Sequence, residues 1–155
     1  MGNPFMARAI TLSIENVRSG RGGPFGAVIV KDGSIIAEGV NQVTSNQDPT
    51  AHAEVLAIRE ACQKLGSFDL KDCEIYASCE PCPMCLGAIY WARLARVYYG
   101  NAAADAARIG FDDSWIYREI AQPHAERAIQ MIQMMRDEAL GAFRAWEERS
   151  DKISY

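Results

Sequence analysis

Hydrophobic side chains recur at helical spacing near the start of the chain. Phe5, Ala9 and Leu12 lie along one stripe, and further apolar residues lie beside it. This periodicity predicts an amphipathic helix over residues 4–18. The glycine-rich segment 19–24 that follows lacks this spacing and ends the helix.

Two apolar runs then predict a β-hairpin. Residues 25–31 are rich in valine and isoleucine, and residues 34–41 form the returning strand. Asp32 and Gly33 stand between the two runs, and an Asp-Gly pair is typical of two-residue hairpin turns. We therefore expect a helix followed by a tight pair of antiparallel strands.

The middle of the chain alternates between helix and strand patterns. Residues 41–48 are polar and predict a loop, and Asp48-Pro49-Thr50 then has the pattern of a helix start. Gly66 is in the position that ends this helix. The predicted elements are a helix over 51–65, a strand over 74–78, a helix from 80–81 to about 93 and a strand over 96–99.

The last third of the chain is less regular. The apolar run 128–135 fits a strand or a helix, because so short a run does not reveal its period. Helices are predicted over 102–107, 114–120 and 137–149. The alternation of helix and strand indicates a layered α/β fold, and a length of 155 residues fits one domain, 1–155.

The net charge and the cysteine content narrow the range of binding partners and cellular compartments. The net charge of −4 gives no sign of the basic surface that nucleic-acid-binding proteins use. The first residues do not read as a secretory leader, and no apolar run reaches the ~20 residues of a membrane span. The five cysteines cannot all pair, and clustered cysteines in a reducing compartment usually bind metal or react. We therefore expect a cytoplasmic protein.

Two short motifs carry the chemistry. His52-Ala53-Glu54 is followed by Pro81-Cys82-Pro83-Met84-Cys85, which together match the general pattern of zinc-dependent deaminases. His52, Cys82 and Cys85 supply three ligands, which leaves the fourth position of a tetrahedral zinc for water, as in catalytic sites. The two cysteines share one face of a helix start, where the helix dipole favours thiolates.

Glu54 is close to these ligands but is not needed as one. A carboxylate beside a zinc-bound water can accept its proton, since zinc lowers the pKa of that water to about 7. We therefore predict that Glu54 is the catalytic acid and base. Two alternatives, a closed structural zinc site with Cys79 as fourth ligand and an iron–sulfur site, give Glu54 no role. A cysteine-nucleophile enzyme with His52 as base leaves the second cysteine unused.

These motifs and their surroundings resemble the cytidine and deoxycytidylate deaminase superfamily, and within it the bacterial guanine deaminases. The resemblance covers essentially the whole chain and is least clear over 127–150. It is carried by segments 22–30, 48–54, 78–92 and 110–114 and by the terminal Tyr155.

The resemblance implies a fold, a reaction and an assembly. The fold is a three-layer α/β/α domain with a mixed five-stranded sheet, and each subunit holds one zinc ion. The reaction is the hydrolysis of guanine to xanthine and ammonia. The assembly is a homodimer in which a C-terminal segment, about 137–155, is exchanged so that Tyr155 closes the partner's site.

Guanine would need side chains that read its ring. The amide of Asn41 offers a donor and an acceptor, and Phe25 would stack on the base. Asp113 would accept the N–H groups at N1 and the 2-amino group, and we count it as a second catalytic residue. A loop role for Asn41, a core role for Phe25 and a helix-capping role for Asp112 or Asp113 are the alternatives. Substrate contacts are expected at Phe25, Asn41, Ala53, Asp113 and Tyr155.

The sequence leaves other substrates open. Guanosine, cytosine and cytidine suit the same chemistry, and tRNA adenosine is a further candidate that the acidic chain disfavours. A binding module held together by structural zinc, without turnover, is the alternative outside catalysis.

Overall fold

The structure, a computed structural model, describes residues 2–155, which divide into two compact units between Ser114 and Trp115. The first unit contains a β-sheet with helices on both faces. Its elements are α1 (Pro4–Arg18), β1 (Gly26–Lys31), β2 (Ser34–Val40), α2 (Val43–Asn46), α3 (Ala53–Leu65), β3 (Cys73–Cys79), α4 (Pro83–Trp91), β4 (Arg96–Asn101) and α5 (Ala103–Arg108).

The N-terminal helix and the hairpin form as the hydrophobic pattern predicts. Asn3 caps α1, because its side-chain oxygen accepts hydrogen bonds from the backbone N–H groups of Phe5 and Met6 at 2.9 and 3.0 Å. Asp32 and Gly33 have φ angles of 49° and 72°. Both residues are therefore left-handed, as the tight turn between β1 and β2 requires.

The sheet is mixed and has the strand order β2–β1–β3–β4. β1 pairs antiparallel with β2 and β3, whereas β3 and β4 are parallel. The mixed sheet of the predicted fold is confirmed, but residues 2–155 form four strands instead of five. Residues 128–135 are neither strand nor helix, because no neighbouring strand supplies the backbone hydrogen bonds that a strand needs.

Helices cover both faces of the sheet. On the α1 side, Leu12 packs against Val28, Val30 and Tyr76, all of them buried. On the other side, mostly small side chains allow α3 and α4 to approach closely. That buried cluster consists of Ala27, Ile29, Ala37, Ala53, Ala57, Ala61, Leu70, Cys73, Ile75, Ala77, Ile89 and Ala92. Since successive residues of a strand point to opposite faces, the two clusters give the three-layer fold.

The segment before α3 differs from the sequence prediction. The expected loop 41–48 contains the short helix α2, which ends at Gln47 in the left-handed conformation (φ 52°). The side chain of Asp48 does not cap α3. Its oxygen instead accepts the backbone N–H and the hydroxyl of Thr50, at 2.8 and 2.7 Å. This local turn delays the helix, so α3 begins at Ala53 instead of residue 51.

The start of α4 also lies later than predicted, at Pro83 instead of residues 80–81. Glu80 belongs to the preceding connection. Its backbone N–H donates to the carbonyl of Asn101 at 2.8 Å, and its carboxylate accepts the N–H of Ala103 at 2.9 Å. Glu80 therefore links the end of β3 to the start of α5.

α6 (Ser114–Ala121) begins at the boundary, and the second unit contains the rest of it, a 3-10 turn at His124–Glu126 and α7 (Arg136–Glu148). Together with α5, these helices confirm the three predicted after residue 101. No residue of Trp115–Tyr155 is buried. A unit of this kind needs a further surface to cover its apolar side chains. The exposed large ones include Trp115, Ile120, Ile129, Met131, Ile132, Met134, Met135, Phe143, Trp146 and Ile153. Within residues 2–155, no helix combines the length and hydropathy of a membrane span.

Gly39 is a point of close approach between β2 and α3. A Cβ atom on Gly39 would collide with the carbonyl oxygen of Ala53 and lie 2.7 Å from the backbone nitrogen of Ala57. We predict that Gly39→Ala lowers the free energy of unfolding by about 2 kcal/mol or more, because the backbone of α3 has to move. A urea titration followed by circular dichroism measures this change.

Gly87→Ala is the matched control. A Cβ atom at Gly87 meets nothing within 4 Å, and an alanine inside a helix is favoured over glycine by up to about 1 kcal/mol. Gly87→Ala is expected to leave the midpoint unchanged or raise it. An unchanged midpoint in Gly39→Ala would contradict the close packing of α3 on β2.

Candidate metal centre

His52 and Glu54 lie at the start of α3. His52 is the N-cap residue, with extended backbone (φ −77°, ψ 153°), and its side chain makes no capping hydrogen bond. Glu54 is in the first turn of the helix and is only 8% exposed. Two residues this close in sequence point apart within a helix, and they share a site here because His52 is only half inside α3.

Cys82 and Cys85 lie at the start of α4. Cys82 is its N-cap and Pro83 occupies the first helical position, where a missing N–H costs nothing. Cys85 is fully buried in the first turn. The unpaired N–H groups and the positive end of the helix dipole at this place favour the charged form of both sulfur atoms.

The two helix starts bring three ligand atoms together. Nδ1 of His52 lies 3.5 Å from Sγ of Cys82 and 3.4 Å from Sγ of Cys85. A tetrahedral zinc with ordinary Zn–N and Zn–S bonds separates nitrogen from sulfur by about 3.6 Å. Among residues 2–155, only His52, Cys82 and Cys85 form such a His/Cys/Asp/Glu group, with ligand atoms within 4.8 Å of one another. The donor set and its spacing therefore fit zinc with one open position.

The protonation of the two thiols supports this fit. A hydrogen bond from the Cys85 thiol is the main cause that lowers the pKa of Cys82 to about 4, and the same bond, with burial, raises the pKa of Cys85. Two sulfur atoms this close together disfavour each other's ionisation. A dication held by both sulfurs would favour both thiolates.

Glu54 stands beside the ligands. Its Oε2 accepts a hydrogen bond from Sγ of Cys85 at 3.4 Å. Burial raises the pKa of the Glu54 carboxyl group. A buried carboxylate in contact with a ligand sulfur is in the position expected of a group that exchanges protons with a water at the open position.

Cys79 does not belong to the ligand group. Its Sγ lies 4.0 Å from the carbonyl oxygen of Ala102, and burial raises the pKa of its thiol to about 11. A closed four-ligand zinc site and an iron–sulfur site both require this sulfur. The arrangement within residues 2–155 therefore argues against both alternatives.

Asn41 is 7% exposed at the end of β2, and backbone groups hold it from several directions. Its Oδ1 accepts the N–H groups of Gly23 and Val43 at 3.2 and 3.3 Å. The oxygen of the amide is thus occupied, and Nδ2 is the end that can donate to a ligand. Asn41 therefore holds the backbone of Gly23 and Val43 in place, and its contact with a substrate stays a prediction.

Phe25 and the two aspartates after Phe111 are near the same end of the sheet. The rings of Phe25 and Phe111 meet edge to face, with centroids 5.0 Å apart. The Oδ1 atom of Asp112 accepts the N–H of Ser114 at 2.9 Å, which forms a local turn just before α6. Asp113 is half-buried, and burial together with the charge of Cys82 raises the pKa of its carboxyl group.

The other two residues predicted to contact the substrate, Ala53 and Tyr155, lie in different parts of the structure. Ala53 is 1% exposed and is the first residue of α3, between His52 and Glu54. Tyr155 belongs to the second unit and is 73% exposed. Their contact with a substrate stays a prediction.

Sequence reasoning missed Asn16 and Phe111. Asn16 is 3% exposed, and its Nδ2 donates to the carbonyl oxygens of Gly23 and Asn41, both at 2.8 Å. An asparagine four positions after Leu12, on the stripe that faces the sheet, was the available signal. Phe111 lies in segment 110–114, which carries part of the family resemblance, but no periodicity there predicts the contact of its ring with Phe25.

Comparison with known proteins agrees with this geometry. Residues 3–101 match the family model of the cytidine and deoxycytidylate deaminase zinc-binding region. The chain is 59% identical to the guanine deaminase of Bacillus subtilis over 151 residues, 97% of each chain. It is similar to the X-ray structure of guanine deaminase from Bacillus subtilis, with a TM-score of 0.96 and 58% identity over 100% of this chain and 99% of the other. A tRNA-specific adenosine deaminase of Aquifex aeolicus is 49% identical over 76 residues, 49% of this chain and 50% of that protein.

The ligand group leads to a prediction about metal content. We expect Cys82→Ala to reduce bound zinc at least about tenfold, because two protein ligands hold zinc poorly. Cys79→Ala is the matched control and should keep about one zinc per chain, as expected of a three-ligand site. Elemental analysis of dialysed protein measures both values. Loss of zinc in Cys79→Ala would instead indicate a four-ligand site.

Proposed function

Because this chain belongs to the cytidine and deoxycytidylate deaminase family, we propose that it deaminates guanine by hydrolysis to xanthine and ammonia. The observation that carries the proposal is the 59% identity to Bacillus subtilis guanine deaminase over 97% of both chains. The chain is a zinc-dependent hydrolase of this family, and His52, Cys82 and Cys85 would hold the ion.

A zinc ion held there would supply a water molecule that is acidic enough to yield hydroxide near neutral pH. Glu54 accepts the proton of that water and delivers it to N3 of guanine as the oxygen bonds to C2. Glu54 then transfers the second water proton to the amino group, the C2–N bond breaks and ammonia leaves. The burial of Glu54 and its contact with Cys85 support this role, since a proton carrier must reach water, ring and leaving group without a large movement.

Recognition of guanine falls to the side chains around this centre. The carboxylate of Asp113 accepts the adjacent N–H groups of N1 and the 2-amino group, and Asn41 donates through Nδ2. The carboxylate of Asp112 already accepts the N–H of Ser114, which leaves the carboxylate of Asp113 for the substrate. Phe25 stacks on the ring, a contact worth ~1–3 kcal/mol, and Ala53 contributes to the floor of the site. The half-buried carboxylate of Asp113, left without its N–H partners, would disfavour rings that lack them.

The other substrates have less support. The tRNA-specific adenosine deaminase of Aquifex aeolicus matches about half of this chain, whereas the guanine deaminase of Bacillus subtilis matches nearly all of it. The net charge of −4 also disfavours a large polyanion. Guanosine, cytosine and cytidine therefore serve as comparison substrates. A binding module without turnover gives the buried Glu54 no role.

We predict ammonia release from guanine, at a rate well above that from guanosine, cytosine, cytidine, adenine or adenosine. Glu54→Ala should lower kcat at least about 100-fold, since general acid–base catalysis contributes about that much, and should retain its zinc. Zinc-quantified protein and an ammonia assay make the measurement. Full activity of zinc-loaded Glu54→Ala would overturn the mechanism.

Asp113→Asn and Asp112→Asn form the matched pair for specificity. Asp113→Asn should lower kcat/KM for guanine about 100-fold or more at constant zinc, because the amide presents a donor towards donors. Asp112→Asn should retain activity, since the amide oxygen of asparagine can accept the N–H of Ser114 as the carboxylate does. Equal effects of the two substitutions would remove Asp113 from substrate recognition.

We also propose that the protein is a homodimer in which the two chains exchange their C-terminal segments. Each complete domain then contains the first part of one chain and the C-terminal segment of the other. The absence of buried residues in Trp115–Tyr155 supports this, since the apolar side chains there need a surface to cover them. β4 is an edge of the sheet, and its unpaired backbone groups suit an added strand such as residues 128–135 of a second copy. Tyr155 of the partner would then close the site.

The reduced state of the thiols indicates a cellular compartment. Cys82 and Cys85 have to stay reduced to bind zinc, and the cysteines within residues 2–155 are all free. We therefore propose a reducing compartment, the cytoplasm.

Exchange of the tail predicts complementation between two inactive chains. One chain carries Glu54→Ala and an intact tail, and the other keeps Glu54 but lacks Tyr155. When the two are co-refolded in equal amounts, about a quarter of the wild-type activity should return, because half of the dimers pair one of each and complete one site. Sedimentation analysis confirms that dimers have formed. A mixture no more active than its components would exclude a tail acting in trans.

A further inference from the structure

The most unusual buried polar group outside the metal centre is the side chain of Asn16, near the end of α1. It is 3% exposed, and its Nδ2 donates two hydrogen bonds of 2.8 Å, to the carbonyl oxygens of Gly23 and Asn41. Both acceptors are carbonyls, so the orientation of the amide is fixed by chemistry. Asn16 therefore ties the segment before β1 to the residue that follows β2.

These two anchored residues are themselves linked. The N–H of Gly23 donates to Oδ1 of Asn41 at 3.2 Å, and the backbone N–H of Asn41 donates to the carbonyl of Phe25 at 3.1 Å. A Cβ atom on Gly22 would collide with the carbonyl oxygen of Asn41, so the two segments are also in close contact. Asn16 thus holds the backbone carbonyls of Gly23 and Asn41. These are the two residues joined by the hydrogen bond that orients the Asn41 amide.

The arrangement carries a cost. Oδ1 of Asn16 is the one buried side-chain nitrogen or oxygen atom in residues 2–155 without a hydrogen-bond partner. A buried acceptor without a partner costs about 1–3 kcal/mol. Ser13, one turn earlier on the same buried stripe, makes only a local bond to the carbonyl of Ile10. Unlike Ser13, Asn16 therefore combines an unfavourable unpaired oxygen with two hydrogen bonds that it donates to distant segments, at Gly23 and Asn41.

We propose that Asn16 is a positioning residue for the base. It fixes the carbonyls of Gly23 and Asn41 so that the Asn41 amide directs its oxygen to the backbone and its nitrogen to the substrate. The inference rests on the proposed function, in which Asn41 contacts the ring. Asn16 itself touches neither the substrate nor the metal ligands in this scheme.

Asn16→Asp tests the donor bonds at constant shape, since a carboxylate has the outline of the amide but no hydrogen to donate. Asn16→Ala is the second variant, in case the buried carboxylate prevents folding, and Ser13→Ala is the matched control on the same helix face. All are prepared with zinc bound. The measurements are zinc content, kcat and KM on the substrate panel, and the NMR signals of the Asn41 side-chain NH₂ and the Gly23 N–H.

Loss of the donor bonds should raise KM for guanine about 10- to 100-fold while kcat and zinc content change little. The Asn41 NH₂ signals should shift and the Gly23 N–H should exchange faster, and Ser13→Ala should show none of these effects. In an Asn41→Ala background, Asn16→Ala should add little, because it acts through Asn41.

Wild-type KM together with unshifted Asn41 signals in both variants would overturn the proposal. So would a loss of kcat and stability equal to that in Ser13→Ala without a change in KM. If the wild-type protein prefers another ring or none, the proposed function fails. The Asn41 and Gly23 signals then still decide whether Asn16 holds that amide.

Discussion

The site depends on one geometric constraint, which is that two helices begin at the same place above the sheet. His52 precedes α3 and Cys82 precedes α4, and their ligand atoms come within 3.5 Å of each other across thirty residues of chain. Two backbone features set this distance. Gly39 allows α3 to lie against β2, and the parallel pairing of β3 with β4 fixes where the chain turns into α4.

The chemistry near the metal follows from that convergence. Two thiols and an imidazole are held in contact, where a bound cation would favour both thiolates, and a carboxylate beside them is kept out of water. The residues proposed to read the base come from other loops. Asn41 follows β2, Phe25 precedes β1 and Asp113 precedes α6, so in that proposal recognition depends on connections that the core does not fix directly.

Much of this could be predicted from local pattern. The helix at Pro4–Arg18, the Asp32-Gly33 turn and the three ligands follow from periodicity, turn chemistry and motif spacing, each of which acts over a few residues. Asp48 and residues 128–135 were misjudged because the outcome depends on competition. Asp48 could cap a helix or bond to Thr50, and an apolar run becomes a strand only beside a partner. Asn16 was missed because its partners lie 7 and 25 residues away.

The position of His52 has a consequence for how such a protein can evolve. An N-cap is where serine, threonine, aspartate or asparagine stabilises a helix by about 1 kcal/mol, and His52 makes no capping bond. Stabilising substitutions of this common kind are therefore closed to α3, since each would remove a metal ligand. Substitutions that raise thermal stability have to occur elsewhere in the chain, because at residue 52 metal binding takes precedence over helix capping.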